Sequence, residues 1–367
     1  MQATAAVLNG PNEAFSIENV AVADPQVGEI LVRIAAVGVC HTDLVVATGM
    51  MGNAFPSVLG HEGAGIVEKV GEGVTAVAPG DKVLLTFNSC GKCPRCSEGE
   101  PAYCWNFVPL NMICAREDGS SRLSKDDGSI VADNFFGQSS FASYAIANER
   151  NVLKVDADAD LALLAPLGCG IQTGAGAVIR SLGARSGQSL VVLGGGAVGL
   201  SAVMGGVIAG CSPIIVIEPQ ESRRALALEL GATDVIDPAA GDTAEAVRAI
   251  VATGADLAVD TSGNAAALER AIAMMAVRGK LALVGVPGAP DAMLSVPIIQ
   301  WITIGGTVRG VIEGDSDIET FLPDLIAHAN AGRLPLEKFV KTYPFDQINQ
   351  AIEDAHSGRC VKVVLTF

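Results

Sequence analysis

The chain has 367 residues, half of them hydrophobic, and 40 acidic residues against 24 lysines and arginines give a formal net charge of −16. This length predicts two domains rather than one. The negative charge argues against nucleic acids and anionic membranes as partners, because both would be repelled. The 42 glycines and the low aromatic content, 4%, favour an α/β protein with many tight turns.

The N-terminal residues lack the cationic start and apolar block of a signal peptide, so we expect a cytoplasmic protein. In that compartment nine cysteines indicate metal ligands or reactive thiols more than disulfides. The nearly uncharged stretch 189–217 has the length of a membrane helix. It contains a glycine cluster and Pro213, and we interpret it as strand, turn, helix and strand.

Alternating apolar residues predict strands up to about residue 147, for example in "EILVRIAAVGV" and "GDKVLLTF". The polar, glycine-rich segment 114–133 is predicted to be a long loop. From about residue 188 to 309, near-continuous apolar runs alternate with helical patterns, which predicts a doubly wound parallel sheet. The closing "CVKVVLTF" is predicted to be the last strand. These changes in pattern indicate a nucleotide-binding domain inserted in a discontinuous second domain.

The stretch "LVVLGGGAVGL" (190–200) has three glycines in the spacing G-x-G-x-x-G, after an apolar strand and at the start of a helix. The first glycine allows a tight turn, the second lets a pyrophosphate approach the backbone, and the third lets helix and strand pack closely. Glu218 ends the next strand, about 20 residues on, where an acid holds the adenosine ribose and repels a 2′-phosphate. The alternative is a purely structural turn beside a surface acid. The pattern favours an NAD site whose contact residues are Gly194, Gly195, Gly196, Val198, Gly199 and Glu218.

The stretch "CGKCPRCSEGEPAYC" (90–104) has the spacing C-x2-C-x2-C-x7-C. Four thiolates close a tetrahedral shell around zinc and leave no open position, which is typical of a structural site. An iron–sulfur cluster is the competing chemistry, and disulfides would need an oxidising compartment. The candidate ligands are Cys90, Cys93, Cys96 and Cys104.

A catalytic zinc keeps three protein ligands and one open position. Candidate ligands are Cys40 in "GVCHTDLV", His61 in "GHEGAGIVEKVG" and Cys169 in "PLGCGIQTG". Spacing alone does not assemble these three residues into one site.

Taken in chain order, these motifs resemble those of the zinc-dependent medium-chain alcohol dehydrogenases, over nearly the whole chain. The resemblance implies a Rossmann NAD-binding domain (171–309) inserted in a mainly β, GroES-like catalytic domain (1–170 and 310–367). Within the family, "FFGQSSFASYA" (135–145) with "CHTDLV" resembles the aryl-alcohol branch, typified by benzyl alcohol dehydrogenases. Transfer of hydride between NAD and primary aromatic or allylic alcohols or aldehydes is the activity that this implies.

The resemblance also assigns roles around one catalytic and one structural zinc per subunit. It implies that Cys40, His61 and Cys169 bind the catalytic zinc, with Glu62 behind it as an indirect or transient ligand. Asp43 is then expected to bond the free nitrogen of His61 and fix its tautomer. A zinc-bound alcohol oxygen has a strongly lowered pKa, and NAD accepts the hydride.

The sequence departs from the family along the path of the alcohol's proton. Thr42 is expected to hydrogen-bond the alcohol, but Val45 stands where many relatives have a relay histidine. His41 stands where a cation often faces the pyrophosphate. We hypothesise that His41 is the proton's exit, a phosphate contact, or both, with direct release to water as the alternative.

Further cofactor contacts follow from the resemblance alone. Thr173 is expected near the nicotinamide, Arg223 beside the adenosine ribose, and Lys362 against the pyrophosphate. The backbone of "LVGVP" (283–287), with Val284 and Val286, is expected at the carboxamide. Arg223 and Lys362 could instead be solvated surface charges.

The apolar segment "PIIQWITIGGTVRG" (297–310) pairs across a two-fold axis in the family, which implies a homo-oligomer. The long 114–133 segment favours a dimer, and a tetramer stays open.

Two other functions remain as alternatives to the aryl-alcohol dehydrogenase. One is a family enzyme acting on S-(hydroxymethyl)glutathione or simple alkanols, and the other is a non-catalytic nucleotide-binding protein, which a missing zinc ligand would have favoured.

Overall fold

The computed structural model describes residues 1–289 and 291–367. In chain order its strands are β1 Gln2–Leu8, β2 Ser16–Val22, β3 Glu29–Gly38, β4 Ser57–Val58, β5 Glu62–Val70, β6 Lys82–Leu85, β7 Leu123–Ser124, β8 Ile130–Val131, β9 Tyr144–Asn148, β10 Val152–Lys154, β11 Leu190–Leu193, β12 Ile214–Ile217, β13 Asp234–Ile236, β14 Ala255–Asp260, β15 Met275–Leu283, β16 Thr307–Gly310, β17 Val340–Pro344 and β18 Lys362–Thr366.

The α-helices are α1 His41–Ala47, α2 Pro94–Ser97, α3 Phe107–Asn111, α4 Leu161–Leu164, α5 Gly170–Gly176, α6 Ala197–Ala209, α7 Glu221–Glu229, α8 Thr243–Ile250, α9 Ala265–Met274, α10 Ile298–Ile304, α11 Phe321–Asn330 and α12 Ile348–His356. Single 3₁₀ turns lie at Pro101–Tyr103, Phe135–Gly137, Glu149–Asn151, Ala165–Gly168, Glu313–Asp315, Leu336–Lys338 and Phe345–Gln347, and a π-helical turn at Ala177–Ser181.

The chain divides into two compact units. The first consists of Met1–Cys169, Asp317–Ala329 and Leu336–Phe367, and the second of Gly170–Ser316 and Asn330–Pro335. The bounds expected from the sequence, 170/171 and 309/310, differ from this division at both ends of the inserted segment. The short segment Asn330–Pro335 gave no signal in the sequence pattern.

The first unit is built on mainly antiparallel sheets. One sheet has the order β4-β1-β2-β7-β8, and the other has the order β10-β6-β5-β3-β18-β17 with β9 also paired to β3. Strand β3 is the centre of the second sheet, because β5, β9 and β18 all pair with it. The segment predicted as one long loop, 114–133, contains the hairpin of β7 and β8. That correction reflects strands of two residues each, too short to leave an alternating pattern.

The second unit contains a six-stranded sheet with the order β13-β12-β11-β14-β15-β16. All of its neighbours are parallel, which confirms the predicted doubly wound architecture. Strand β11 lies between β12 and β14, so the strand order reverses there and a crevice forms at the carboxyl ends of these strands. The core is aliphatic, and it includes Val191, Leu193, Ile215, Ile217 and Leu281.

The apolar stretch 189–217 divides into β11, α6 and β12, as predicted. Among the described residues, no single helix has both the length and the apolar composition needed to cross a membrane. The bent pair Leu161–Gly168 and Gly170–Ser181 meets both criteria only when its two parts are counted together.

A buried ion-pair network joins the 114–133 segment to β3. Glu29 opens β3, and its carboxylate accepts hydrogen bonds of 2.8–3.1 Å from the guanidinium groups of Arg116 and Arg122. Burial disfavours the carboxylate, but the two arginines outweigh that cost and lower the pKa of Glu29 to about 2. The long segment is therefore fixed to the strand that leads to Cys40.

We predict that Glu29→Gln lowers the free energy of unfolding by about 3 kcal/mol, because two buried guanidinium groups lose their counter-charge. The folded pKa lies below the ordinary value of 4.5, so the stabilisation is complete above about pH 5 and is lost as the pH falls toward 2. Denaturant unfolding should therefore give a larger difference at pH 6 than at pH 3. Glu18→Gln is the matched control, because its pair with Lys125 is partly exposed and contributes about 1 kcal/mol or less. Equal losses in the two variants would contradict the prediction.

Candidate metal and cofactor sites

Four side chains from three separate segments of the first unit meet in one cluster. One candidate ligand atom each from Cys40, His61, Glu62 and Cys169 lies within 4.8 Å of the other three. Cys40 lies between β3 and α1, His61 and Glu62 lie at the start of β5, and Cys169 directly precedes α5. The structure thus assembles the three residues that spacing alone could not.

Asp43 organises two of these residues through three hydrogen bonds. Its Oδ2 accepts from the backbone N–H of Cys40 at 2.9 Å, which caps helix α1. Its Oδ1 accepts from the backbone N–H of Gly60 at 3.0 Å and lies 2.9 Å from His61 Nδ1. Because a carboxylate offers only acceptors, Nδ1 carries the proton and Nε2 is left as the acceptor. The predicted contact between Asp43 and His61 is therefore present in the structure.

The cluster has the donor set and charge of a zinc site. His61 Nε2 is buried and has no hydrogen-bond partner within the described part of the chain. Cys169 lowers the pKa of the Cys40 thiol well below its usual range, although burial opposes this. Burial also disfavours an imidazolium, yet the Asp43 carboxylate outweighs it and raises the pKa of His61. The same negative groups favour a metal cation beside Nε2, and two sulfurs with one imidazole nitrogen match zinc with an open position.

Glu62 and Lys362 form a buried ion pair next to this cluster. Lys362 Nζ lies 2.5 Å from Glu62 Oε2 and donates a hydrogen bond of 2.9 Å to the carbonyl oxygen of Val39. A Cβ atom on Gly38 would lie 1.8 Å from Glu62 Oε2, so only glycine leaves room for the carboxylate. Burial disfavours the ammonium, but Glu62 and then Cys40 outweigh it and raise the pKa of Lys362.

This pair shows where Lys362 lies, and its expected contact with a pyrophosphate stays a prediction. The side chain is 3% exposed, and its ammonium is directed at Glu62 and at the carbonyl of Val39. The backbone pairing of β18 with β3 brings Lys362 to this place. The charge is thus used to neutralise Glu62 beside the cysteine–histidine cluster.

Helix α1 places three further predicted residues. Thr42 Oγ1 lies 3.8 Å from Cys40 Sγ, so the hydroxyl lies beside the cluster. His41, the first residue of the helix, is exposed to solvent, and Val45 is buried. The imidazole at position 41 is therefore in contact with water, whereas position 45 offers an apolar side chain.

The second predicted metal group is also assembled. Sulfur atoms of Cys90, Cys93, Cys96 and Cys104 lie within 4.8 Å of one another, and none of the nine cysteines among the described residues forms a disulfide. Cys93 Sγ lies 3.6 Å from Cys96 Sγ and 3.9 Å from Cys104 Sγ. A zinc ion with bonds of about 2.3 Å to each sulfur separates tetrahedral ligands by about 3.8 Å. The backbone N–H groups of Trp105 and Asn106 donate to Cys93 Sγ and Cys104 Sγ.

In the second unit, the glycine turn after β11 has the form of a phosphate cradle. Gly194 has a φ of +100°, which favours glycine and lets the chain turn sharply into α6. A Cβ atom on Gly199 would lie 1.9 Å from the carbonyl oxygen of Gly194, so helix and turn pack at backbone distance. A Cβ atom on Gly196 would meet no described atom within 4 Å. The N-terminus of α6 therefore faces open space with its backbone N–H groups, and Val198 lies in its first turn.

Glu218 and Arg223 lie together beside this turn. Glu218 is buried, and its carboxylate accepts hydrogen bonds from the backbone N–H of Gly195 at 2.6 Å and of Gln220 at 2.8 Å. A Cβ atom on Gly195 would lie 3.0 Å from Glu218 Cγ and 3.3 Å from Arg223 Cβ. Arg223 Nε is buried without a hydrogen-bond partner among the described residues. The Glu218 carboxylate and the Arg223 guanidinium group thus both lie beside the position expected for the adenosine ribose.

The ends of three neighbouring strands form the wall of the same crevice. Thr261 follows β14, and its hydroxyl donates to the carbonyl oxygen of Leu193 at the end of β11. Val284 follows β15 and donates its N–H to the carbonyl oxygen of Asp260. The carbonyl oxygen of Val286 would lie 2.4 Å from a Cβ atom on Gly263, so these two loops touch through their backbones. Thr173 is buried in α5. The loop after β14 was not singled out from the sequence.

The segment 134–140 has a structural role that the sequence analysis missed. Phe136 stacks on His61 at 4.5 Å between ring centroids, and Phe135 meets the imidazole edge-on at 5.2 Å. Gln138 hydrogen-bonds the backbone of His61 and of Gly63. Phe136 and Ser139 have φ angles near +50°. The dense run of aromatic and polar residues in "NFFGQSS" is the signal that could have indicated this packing.

Comparisons with known proteins agree with this geometry. The sequence model described as "Alcohol dehydrogenase GroES-like domain" matches residues 26–157, and that described as "Zinc-binding dehydrogenase" matches residues 197–327. The chain is 45% identical over its whole length to a geraniol dehydrogenase of Castellaniella defragrans, 98% of which is covered.

Two crystal structures superpose closely on the whole chain. An alcohol dehydrogenase zinc-binding domain protein from Burkholderia ambifaria matches with 46% identity and a TM-score of 0.98, and 99% of it is covered. The benzyl alcohol dehydrogenase of Acinetobacter calcoaceticus matches with 39% identity and a TM-score of 0.96, with the same coverage. Together with the two metal-ligand clusters and the glycine turn, these matches show that the chain belongs to the zinc-dependent medium-chain alcohol dehydrogenase family.

Proposed function

We propose that this protein is a zinc- and NAD-dependent dehydrogenase of primary aromatic or allylic alcohols. The observation that carries the proposal is the convergence of Cys40, Cys169 and His61 Nε2, a nitrogen with no hydrogen-bond partner among the described residues. Three such ligands leave one position for a substrate oxygen.

Cys40, His61 and Cys169 would hold the catalytic zinc, which supplies Lewis-acid activation of an alcohol oxygen, while NAD accepts the hydride. Glu62 lies close enough to act as an occasional ligand, and Lys362 neutralises it. Cys90, Cys93, Cys96 and Cys104 would hold a second, structural zinc, because four thiolates leave no open position.

The residues of α1 would handle the alcohol's proton. Asp43 keeps the proton of His61 on Nδ1, so that Nε2 stays directed at the cluster. The Thr42 hydroxyl lies beside Cys40, where it can accept the substrate's proton and donate its own. His41 is exposed one residue away and would pass the proton to water, because an imidazole nitrogen can accept a proton and release it again.

The substrate class rests on the two named relatives together with the aromatic residues around His61. Geraniol is an allylic alcohol and benzyl alcohol an aromatic one, and each has its hydroxyl one carbon from a π system. S-(hydroxymethyl)glutathione or a simple alkanol is the alternative. A glutathione adduct needs basic residues for its carboxylates, and the 114–133 segment has more acids than bases.

A cytoplasmic homodimer, with a tetramer as the alternative, completes the proposal. Ile298, Ile299 and Ile302 of α10 are between 73% and 82% exposed. Strand β16 is the edge of the parallel sheet. An apolar helix face next to an unpaired strand edge is suited to pairing with a second copy of the chain.

We predict a strong preference among alcohols in steady-state assays with NAD. Values of kcat/KM for benzyl, cinnamyl and terpene alcohols should exceed those for ethanol and S-(hydroxymethyl)glutathione by about 100-fold or more. That ratio corresponds to about 2.7 kcal/mol of differential transition-state binding. The comparison uses one zinc-replete preparation. A preference for ethanol or for the glutathione adduct would overturn the substrate class and leave the metal and cofactor roles standing.

We predict that Gly196→Ala weakens NAD binding without weakening the fold. A new Cβ atom there meets no described atom within 4 Å, but it occupies the space in which a pyrophosphate approaches the backbone. The Kd for NAD, measured by calorimetry, should rise about tenfold or more while Tm stays unchanged. Gly199→Ala is the contrasting variant, because its Cβ atom would lie 1.9 Å from a backbone oxygen and should lower Tm. An unchanged Kd in Gly196→Ala would contradict the cradle.

We predict that His41→Ala changes the pH dependence of oxidation. A proton acceptor works only when neutral, so activity through His41 falls at low pH, and the variant loses this limb. The rate at neutral pH should fall by up to about 100-fold. His356→Ala, in which the exposed histidine of α12 is removed, is the control. If the profile of His41→Ala equals that of the control, the proton leaves directly to water.

A further inference from the structure

The side chain of Gln138 is the most completely bonded amide near the metal cluster. It is 2% exposed and follows the 3₁₀ turn Phe135–Gly137. Its Nε2 donates to the carbonyl oxygens of His61 at 2.9 Å and Thr86 at 3.1 Å. Its Oε1 accepts from the N–H of Gly63 at 3.0 Å and from the Ser140 hydroxyl at 2.7 Å. Both donors and both lone pairs of the amide are used.

These bonds connect the start of β5, next to His61, to the end of the neighbouring strand β6. The backbone groups of His61 and Gly63 lie on either side of Glu62 at the start of β5, and Thr86 directly follows β6. A Cβ atom on Gly63 would lie 2.3 Å from the Ser140 hydroxyl and 2.9 Å from Gln138 Oε1, so this strand presses directly on the amide. His61 is thus held from its backbone by Gln138 and from its ring by Asp43.

Thr86 continues the connection to the other side of the cluster. Its hydroxyl donates a hydrogen bond of 2.6 Å to the carbonyl oxygen of Gly168, the residue before Cys169. A Cβ atom on Gly168 would lie 2.3 Å from the carbonyl oxygen of Leu85, so the turn bearing Cys169 lies directly on the end of β6. A short chain of buried hydrogen bonds therefore runs from His61 through Gln138 and Thr86 to Gly168.

We propose that Gln138 and Thr86 are positioning residues that fix the separation of His61 and Cys169, and thereby determine how tightly the catalytic metal is held. The two ligands are 108 positions apart in sequence. Hydrogen bonds to buried carbonyl groups restrict where each ligand can move. The inference rests on the proposed zinc role of the cluster, and it concerns the rate of metal release rather than the reaction catalysed.

Gln138→Glu is the sharpest variant, because it keeps the size of the side chain and both acceptor contacts. It removes the two donors and turns a carboxyl oxygen toward the carbonyl oxygens of His61 and Thr86. Zinc release from the holoenzyme to a chromogenic chelator should show one phase that is absent in His61→Ala. We expect Gln138→Glu to accelerate that phase by about 10- to 100-fold, the range typical of residues that support metal ligands.

Thr86→Val is the second variant, and it tests the proposal even if Gln138→Glu fails to fold. It preserves the shape of the side chain and removes only the hydroxyl that bonds Gly168. The same phase should accelerate, and Thr86→Ser, which restores the hydroxyl, should return it to the wild-type rate. In cobalt-substituted protein, the visible bands assigned to the His61 cluster should shift in Thr86→Val and not in Thr86→Ser.

Asn111→Asp is the matched control. Asn111 is an equally buried amide that donates to the carbonyl oxygens of Asn88 and Phe107 and accepts from the N–H of Asn88. None of these partners belongs to the His61 cluster. The control should lower Tm and leave the His61-dependent phase unchanged.

Two results overturn the inference. Release rates and cobalt bands that match those of Asn111→Asp would mean that Gln138 and Thr86 stabilise the fold alone. Failure of Thr86→Ser to recover the rate would mean that the hydroxyl bond to Gly168 does not act on the metal. Absence of the His61-dependent phase in the wild-type protein is a separate result, because it would contradict the proposed zinc role itself.

Discussion

A single buried carboxylate sets the geometry on which the metal cluster depends. Asp43 accepts hydrogen bonds from the N–H of Cys40, the N–H of Gly60 and the Nδ1 of His61. A buried charge is costly unless several donors satisfy it, and here three do so within about 3 Å. The Asp43 side chain thereby caps helix α1, fixes the turn at Gly60 and selects the tautomer of His61. The position of Cys40 and the orientation of His61 therefore cannot vary independently of each other.

The residues around the cluster balance its negative charge. Two cysteines, Glu62 and Asp43 bring negative charge into an interior that would not hold it unaided. The Lys362 ammonium compensates Glu62, and a divalent cation would compensate the thiolates. Gly38 leaves room for the Glu62 carboxylate because it has no side chain. Any side chain there would occupy the place of that carboxylate. Neutrality and space are thus provided by residues that need not themselves touch a metal.

The sequence was informative where a motif is compact. The glycine turn and the four-cysteine segment each lie within fifteen residues or fewer, so their chemistry could be inferred from spacing. Cys40, His61 and Cys169 were grouped only by family resemblance, because the contacts that join them are long-range. The ion pair of Lys362 with Glu62 depends on the register of β18 against β3, which no local pattern encodes. Gln138 was interpreted as part of a substrate-class motif, since three of its four partners, His61, Gly63 and Thr86, are distant in sequence.

The distribution of tryptophan has a spectroscopic consequence. The chain contains two, and they lie in different units. Trp105 is largely exposed and donates its backbone N–H to Cys93 Sγ, whereas Trp301 packs against the core of the parallel sheet. The tryptophan emission of the protein therefore has one source at the four-cysteine cluster and one in the second unit. Each unit carries its own fluorophore, and the two indoles differ in their exposure to water.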